Sequence, residues 1–222
     1  MSTRYYFSWF YGFLPEKLVR SLHEDIQGRK SLVLISAQPS DYAGDQVDYA
    51  DISELTWLTQ ADLIFEECHF IDYRTQKEEA ARLIAEASVV FLCGGDPVRQ
   101  HDFLAEYDLP GAIQKSEAVI MAASAGSLNL SAAWLRTEDP EDEAAAQTLY
   151  EGIGLDRFAY ETHAKRDHAT FAQGYLFPLS EKIGIYAAEQ ESAIRVKNGK
   201  IDVLGSVYFI SRSNIQKLSE TL

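Results

Sequence analysis

The chain has 222 residues, of which 46% are hydrophobic and 24% charged, and these proportions favour a folded globular domain over a disordered chain. Its formal net charge is −14, from 34 acidic and 20 basic residues, and a surface of that sign repels phosphate backbones, so nucleic acid is not expected as a partner. No apolar run is long enough to cross a bilayer, and the first residues lack the regions of a signal peptide, so neither a membrane nor secretion is expected.

Apolar runs of strand length alternate with helical patterns through the first half of the chain. Strands are predicted, in chain order, at residues 1–7, 32–36, 70–72, 89–93 and 119–122. Apolar residues at helical spacing predict helices over residues 76–87 and 98–107. This alternation of strands and helices is typical of a mostly parallel sheet that is covered by helices on both faces.

The second half of the chain has a different character. Residues 137–146 are acidic and interrupted by a proline, which predicts a surface loop, with a lid over a cleft as the alternative. Short apolar runs predict further strands at residues 183–186, 193–196 and 201–204. The Asn198-Gly199 pair between the last two runs predicts a hairpin turn. Because no linker or internal repeat is present, a single α/β domain is expected over residues 1–222.

The two cysteines, Cys68 and Cys93, lie in apolar strand-like runs far apart in the sequence, and neither belongs to a metal-binding motif. Buried thiols are therefore expected rather than a structural disulfide, which favours a reducing cytoplasm as the location. The sequence contains no metal-ligand spacing and no nucleotide-binding fingerprint, so we expect no metal and no other cofactor.

Ser124 follows an apolar strand and lies among alanines and a glycine, in the sequence VIMAASAGS at residues 119–127. This pattern is typical of a nucleophile elbow, a tight strand-to-helix turn that needs small neighbours and presents the serine hydroxyl above the sheet edge. The strict pattern has glycine two residues before the serine, where this chain has Ala122, so a turn selected only for close packing is the alternative. A catalytic Ser124 would need a base, an orienting acid and donors for an oxyanion.

Gly94 and Gly95 end a predicted strand one βαβ unit before the elbow, where glycine amides can point into a cleft and stabilise an oxyanion. An ordinary turn is the alternative interpretation. The base must be one of five histidines, and three of them, His23, His69 and His101, lie in patterns that favour surface or packing roles. His163 and His168 are the candidates, because catalytic groups collect at strand ends of α/β sheets.

Five short segments, taken together and in their order along the chain, indicate a protein family. They are FLCGGD at residues 91–96, ASAG at 123–126, RTED at 136–139, GIGL at 152–155 before Thr162-His163, and AIRV at 193–196. Together they resemble the dipeptidase E and cyanophycinase family of serine peptidases, over most of the chain. The resemblance implies a three-layer α/β sandwich with a mostly parallel central sheet, related to class I glutamine amidotransferases, with serine in the place of their cysteine.

The resemblance also implies roles for individual residues. Ser124 matches the nucleophile of the family, and His163 matches the base. Gly94, together with Gly95, matches the oxyanion loop, whose amide would act with that of Ala125, the residue after the nucleophile.

Two positions depart from the family's pattern. Relatives usually have glycine in the place of Ala122. The acid of the Ser-His-Glu triad falls in the late β-rich region, where the simplest register, anchored on residues 193–196, places Gln190. Glu189 and Glu191 flank that position, and a shift of one residue restores a carboxylate, so Glu189 is predicted as the acid. A glutamine could orient a neutral imidazole but would not stabilise an imidazolium as a carboxylate does.

Enzymes similar to dipeptidase E favour dipeptides with an N-terminal aspartate, which requires a cation in the pocket. Arg166 is the predicted cation, with Lys165 and Arg136 as alternatives, because a guanidinium binds a carboxylate through two hydrogen bonds. Pairing of Arg166 with surface acids is an equal alternative. Asp139 matches an aspartate that many dipeptidase E relatives carry near the site.

The sequence therefore predicts a cytoplasmic serine exopeptidase that hydrolyses short peptides through an acyl-enzyme. Two alternatives stay open. One is an eroded member of the same fold that binds a small molecule or serves in an assembly, which Ala122 and Gln190 favour. The other is an amidohydrolase acting on β-linked or side-chain amides. A short peptide is the expected partner, and the choice between a monomer and a homodimer is left open.

Overall fold

Strands and helices alternate along most of the chain. The computed structural model describes residues 2–41, 49, 52–136, 148–164 and 176–222. In chain order the elements are β1 (Arg4–Phe7), α1 (Glu16–Asp25), β2 (Ser31–Ala37), α2 (Ser53–Gln60), β3 (Glu67–Ile71), α3 (Lys77–Glu86), β4 (Val89–Gly95), α4 (Pro97–Glu106), α5 (Leu109–Lys115), β5 (Val119–Ala123), α6 (Ala125–Leu130), β6 (Ala133–Leu135), β7 (Leu149–Glu151), β8 (Ala159–Glu161), α7 (Phe177–Ser180), β9 (Ile185–Ala188), β10 (Ala193–Lys197), β11 (Lys200–Leu204), β12 (Val207–Ser211) and β13 (Asn214–Lys217). Each strand and helix predicted from periodicity overlaps one of these elements.

The first sheet has seven strands within the described residues, in the order β11-β10-β1-β5-β4-β2-β3. Strands β1 to β5 run parallel, and β10 and β11 extend the sheet beside β1 in antiparallel pairing. The predicted hairpin turn joins β10 to β11. Its residues Asn198 and Gly199 have φ of 52° and 77°, the left-handed conformation that a tight hairpin turn requires.

Side chains of the central strands alternate between two buried cores. In β2, Leu32 and Leu34 belong to one core, and Val33 and Ile35 belong to the other. Successive side chains of a strand point to opposite faces, so a strand that is apolar throughout must be covered on both faces. The result is the three-layer α/β arrangement that the sequence predicted.

A second sheet, which the sequence did not predict as a separate unit, has the order β13-β12-β9-β8-β6-β7 among the described residues. Strands β6, β8 and β9 are parallel, whereas β7, β12 and β13 pair in antiparallel fashion. Tyr160 of β8 and Val207 of β12 share a core with Ile194 of β10. This shared core joins the second sheet to the first.

The carboxyl ends of the parallel strands of the first sheet meet at one edge. Strand β1 ends at Phe7, β4 at Gly95 and β5 at Ala123. This is the edge at which open α/β sheets bind ligands and place catalytic groups. The strands β8 and β9 reach the same region, because Ser8, just after β1, donates a hydrogen bond from its hydroxyl to the carbonyl of Ala188.

The two cysteines are free thiols, with Cys68 half-buried and Cys93 buried. Burial raises the pKa of the Cys68 thiol to about 11, so the group is protonated at neutral pH. Among the described residues, no helix has both the length and the apolar character needed to cross a membrane.

Asp25, at the end of α1, ties that helix to the first sheet. Its carboxylate accepts hydrogen bonds from Arg195 at 2.7 Å, from Lys197 at 2.6 Å and from the Tyr5 hydroxyl at 2.6 Å. Burial opposes the charged carboxylate, but the hydrogen bonds from Arg195, Lys197 and Tyr5 outweigh burial and hold the pKa of Asp25 below its usual range.

The substitution Asp25→Asn should therefore lower the free energy of unfolding by about 3 kcal/mol at pH 7, because two cations lose their charged partner. A carboxyl with a lowered pKa stabilises the fold fully above its ordinary pKa of about 4 and loses that contribution as the pH falls. Urea unfolding of both proteins should thus show a difference that shrinks below about pH 4. A difference that stays constant down to low pH would contradict this assignment.

Candidate active site

Ser124 lies at the end of β5, the middle strand of the first sheet, and α6 begins at the next residue. Its backbone has φ 48° and ψ −114°. These dihedrals are close to the first central position of a type II′ turn, which glycine normally occupies. The backbone N–H is held by the carbonyls of Phe7 and Ser8, at 3.1 and 3.0 Å. A strained serine at a strand-to-helix turn is the geometry of a nucleophile elbow.

Small residues around Ser124 let the elbow lie against the neighbouring strand. A Cβ added at Gly126 would lie 2.1 Å from the carbonyl oxygen of Leu92 in β4, so only glycine fits there. Ala122, which replaces the family's usual glycine, is fully buried in the core and leaves β5 paired with β4. Below the turn, the Ser127 hydroxyl contacts the carbonyls of Phe7 and Ala122.

His163 follows β8 and reaches the elbow from the second sheet. Its Nε2 lies 2.7 Å from the Ser124 Oγ, within hydrogen-bond distance. The residue has φ 54°, an uncommon conformation for a non-glycine residue. Its backbone N–H donates to the Ser8 Oγ at 3.0 Å, and the Ser8 hydroxyl donates to the carbonyl of Ala188. The structure thus brings together the predicted nucleophile and the predicted base.

Among the described residues, the other histidines do not share this position. His168 lies outside the described residues. His23 contacts the carbonyl of Ala61, His69 contacts Glu67, and the ring of His101 packs against that of Tyr150.

Gln190, and not the predicted Glu189, contacts the far side of the His163 ring. The Gln190 Nε2 lies 2.6 Å from the His163 Nδ1. The prediction of Glu189 is corrected by its neighbourhood, since its carboxylate accepts a hydrogen bond from the Tyr208 hydroxyl at 3.1 Å. Glu191 has φ 55° and donates its backbone N–H to the Trp9 carbonyl at 2.7 Å. The simplest sequence register therefore agrees with the structure.

The amide of Gln190 controls which ring nitrogen of His163 carries a proton. When its NH₂ faces Nδ1, the ring proton lies on Nε2, and Nε2 cannot accept the Ser124 proton. A half-turn of the amide makes its oxygen accept Nδ1–H, which frees Nε2 as a base. The Gln190 Oε1 is buried and has no hydrogen-bond partner within the described part of the chain. The half-turn would give this oxygen a partner.

The glycine pair Gly94-Gly95 ends β4 beside the elbow, as predicted, but its amides are not equivalent. The Gly94 N–H donates to the Glu54 Oε1 at 2.6 Å, so it is engaged by α2 and not free for an oxyanion. Gly95 has φ 141°, which favours glycine. The Ala125 amide is at the start of α6, directly after Ser124. The predicted role of Gly94 is thus corrected by its contact with Glu54.

The predicted substrate-binding residues differ from the catalytic ones in their place along the chain. Asp139, Arg166 and Lys165 lie outside the described residues, and so does the predicted loop at residues 137–146. Arg136, the remaining candidate cation, is half-buried just after β6.

Comparisons with known proteins identify the family and the fold. A sequence model described as Peptidase family S51 matches residues 42–204. A crystal structure of a peptidase from an acI-B1 Actinobacterium is similar in fold, with a TM-score of 0.70 and 19% identity, over 99% of this chain and 95% of that one. A crystal structure of a putative peptidase E protein from Listeria monocytogenes EGD-e has a TM-score of 0.62 and 16% identity, over 99% of this chain and 100% of that one. No curated protein sequence matches the chain.

The family match defines this protein as a serine peptidase, and the two solved structures agree with it in fold. Because the family model spans more than half of its length, the chain belongs to peptidase family S51. The resemblance to the dipeptidase E family, inferred from the sequence, is confirmed.

Proposed function

We propose that this protein is an exopeptidase that hydrolyses short peptides through an acyl-enzyme formed on Ser124. The observation that carries the proposal is the 2.7 Å contact between the Ser124 Oγ and the His163 Nε2, on an elbow whose backbone is strained. A serine within hydrogen-bond reach of an oriented imidazole is the arrangement that nucleophilic catalysis needs.

In the proposed mechanism, the Ser124 Oγ attacks the scissile carbonyl carbon while its proton passes to the His163 Nε2. The amides of Gly95 and Ala125 hold the oxyanion of the tetrahedral intermediate. The intermediate collapses when the C–N bond breaks and His163 donates the proton to the leaving amine. A water molecule, which loses a proton to His163, then attacks the ester, and Ser124 regains its proton as the acid is released.

Gln190 makes this triad weaker than one with a carboxylate. Its oxygen can orient His163 by accepting Nδ1–H, but a neutral amide does not offset the positive charge that the ring gains during attack. We therefore propose a Ser-His-Gln arrangement that works at a reduced rate.

Membership of the peptidase family supports the proposed substrate class. Short peptides are the proposed substrates, with preference for an N-terminal aspartate that Arg166 would bind through two hydrogen bonds. Asp139 is proposed to lie near the same site. The free thiols of Cys68 and Cys93 favour the cytoplasm as the location.

The experiment combines an active-site phosphonate with a panel of Xaa-Leu dipeptides. A fluorophosphonate should form one covalent adduct, which peptide mass spectrometry should locate on Ser124, and the protein should cleave at least one dipeptide. Asp-Leu cleavage that Arg166→Ala abolishes, and Lys165→Ala does not, would support the proposed specificity. An unlabelled protein that cleaves nothing would contradict the peptidase proposal and favour the eroded, non-catalytic alternative, for which Gln190 is the supporting observation.

The substitution Gln190→Glu should raise kcat roughly tenfold to a hundredfold, because a carboxylate both fixes the Nδ1–H tautomer and stabilises the imidazolium. The matched control is Glu189→Gln, which adds an amide at the neighbouring position and should change kcat by less than about twofold, since Glu189 contacts Tyr208 instead of the ring. Steady-state kinetics on the best dipeptide measures both. A larger loss in Glu189→Gln than in Gln190→Leu would return the acid role to Glu189.

A further inference from the structure

One peptide unit beside the elbow is held at both of its polar atoms by buried side chains. The peptide between Cys93 and Gly94 donates its N–H to the Glu54 Oε1 at 2.6 Å. Its carbonyl, that of Cys93, accepts a hydrogen bond from the Gln100 Nε2 at 3.1 Å. Glu54 is 4% exposed and Gln100 is fully buried. The orientation of this peptide plane is therefore fixed from α2 on one side and from α4 on the other.

Glu54 is an unusual residue for this position. It lies in the first turn of α2, and burial raises the pKa of its carboxyl, although hydrogen bonds from backbone N–H groups oppose the rise. Burying a carboxyl group costs stability unless it is well hydrogen-bonded, and leucine could fill the same volume without that cost. The Gly94 N–H is its hydrogen-bond donor at the sheet edge.

Gln100 connects the same peptide to α6, the helix that follows the nucleophile. Its Oε1 accepts a hydrogen bond from the Asn129 Nδ2 at 3.0 Å, and Asn129 lies in α6, which starts directly after Ser124. The Gln100 Nε2 also donates to the carbonyl of Ile35 in β2 at 3.3 Å. The chain of contacts from Glu54 to Asn129 thus links the glycine pair and the elbow through buried hydrogen bonds.

Packing also restricts the backbone conformation of the glycine pair. The ring of Trp9 lies over Gly94, where an added Cβ would come within 2.5 Å of it. The next residue, Gly95, ends β4 and has φ 141°, a conformation that favours glycine. Because the Gly94 amide is engaged, the next amide along the chain is the one that this turn can present at the strand end.

We propose that Glu54 and Gln100 are positioning residues for the oxyanion hole: they fix the Cys93–Gly94 peptide so that the loop offers the Gly95 amide, and not the Gly94 amide, to the oxyanion. This inference rests on the proposed serine peptidase function. Neither side chain touches the substrate. Both act on the transition state through the orientation of one backbone donor, whose loss typically lowers kcat by about a hundredfold to a thousandfold.

The test compares Glu54→Leu with Glu54→Gln. Leucine fills the volume without an acceptor, and the glutamine keeps an oxygen that can accept from the Gly94 N–H. We expect Glu54→Leu to lower kcat and the rate of fluorophosphonate labelling by about tenfold to a hundredfold, with KM changed less than about threefold. Glu54→Gln should stay within about fivefold of the wild type. Gln100→Met, which keeps the length of the side chain, should reproduce the Glu54→Leu effect.

Asp25→Asn serves as the control for loss of stability alone, because Asp25 joins α1 to β10 and β1 and contacts no described residue of the proposed site. It should lower the melting temperature without changing the labelling rate at 25 °C. If the wild type is labelled and both Glu54→Leu and Gln100→Met are labelled at the same rate as the wild type, the inference is overturned and the proposed function stays intact. If Glu54→Leu fails to fold, a labelling loss in Glu54→Gln equal to that in Gln100→Met overturns it as well. An unlabelled wild type removes the proposed function, and the inference falls with it.

Discussion

Replacing Ser124 with glycine is expected to abolish catalysis and to stabilise the protein at the same time. The loss of kcat should be roughly a thousandfold or more, because the nucleophile is gone and only binding and oxyanion contacts remain. The gain in the free energy of unfolding should be about 1 kcal/mol, because φ 48° and ψ −114° strain any residue that has a Cβ, and glycine removes that strain.

Ser124→Ala is the matched variant, since it removes the hydroxyl but keeps the Cβ. It should lose kcat to the same extent without the gain in stability. Dipeptide cleavage with fluorophosphonate labelling measures the first effect, and guanidinium unfolding measures the second. Cleavage that persists in both variants would place the nucleophile elsewhere. Equal stabilities of the two variants would show that the turn is not strained at this residue.

Gly126→Ala is expected to have the largest effect on folding. The new methyl group would lie 2.1 Å from the Leu92 carbonyl oxygen and 2.6 Å from its carbon, and neither backbone atom of a central strand can move aside. Overpacking of this kind costs about 3 kcal/mol or more when the obstacle is backbone. Because α6 would be pushed away from β4, the Ser124 hydroxyl should also lose its contact with His163, and activity should fall beyond what the unfolded fraction explains.

Gly111→Ala is the control for a glycine-to-alanine change as such. Gly111 lies in α5, and no atom comes within 4 Å of an added Cβ. Alanine in a helix interior is better than glycine by about 0.5–1 kcal/mol, so this variant should be slightly more stable and fully active. Thermal unfolding and dipeptide cleavage of the two variants provide the comparison. A Gly126→Ala protein with wild-type stability and activity would contradict the close approach of α6 to β4.

The first sheet was predictable because its strands have a recognisable local sequence pattern. Residues 32–35 and 89–93 are apolar throughout, which is typical of a strand that is covered on both faces. The second sheet was not predictable, because β6, β7 and β8 have three residues each, which is too short for any periodicity. Their pairing depends on tertiary contacts that a local pattern does not contain.

The residues of the candidate site also divide into those that a local sequence pattern predicts and those that only the structure reveals. Ser124 and the glycine pair were found because a tight turn leaves a local signature of small residues. The neighbour of His163 was misassigned, because the preference for a carboxylate outweighed a register that already indicated Gln190. Ser8, Glu54 and Gln100 carry no motif: each is a common residue in an ordinary strand end or helix. Only the contacts with His163, Gly94 and Cys93 reveal what these three side chains hold.

The contacts of Ser8 have a consequence for the time at which the protein becomes active during synthesis. Its carbonyl holds the Ser124 amide, its hydroxyl holds the His163 amide, and its own N–H donates to Ser192 at 2.9 Å. Ser8 and Ser192, which are far apart in the sequence, must therefore meet before nucleophile and base can align, and contacts of such long range are slow to form. A nascent chain that lacks the segment from β9 to β10 would carry Ser124 and His163 without the Gln190 side chain that contacts the His163 ring, and we expect it to be inactive until that segment has folded.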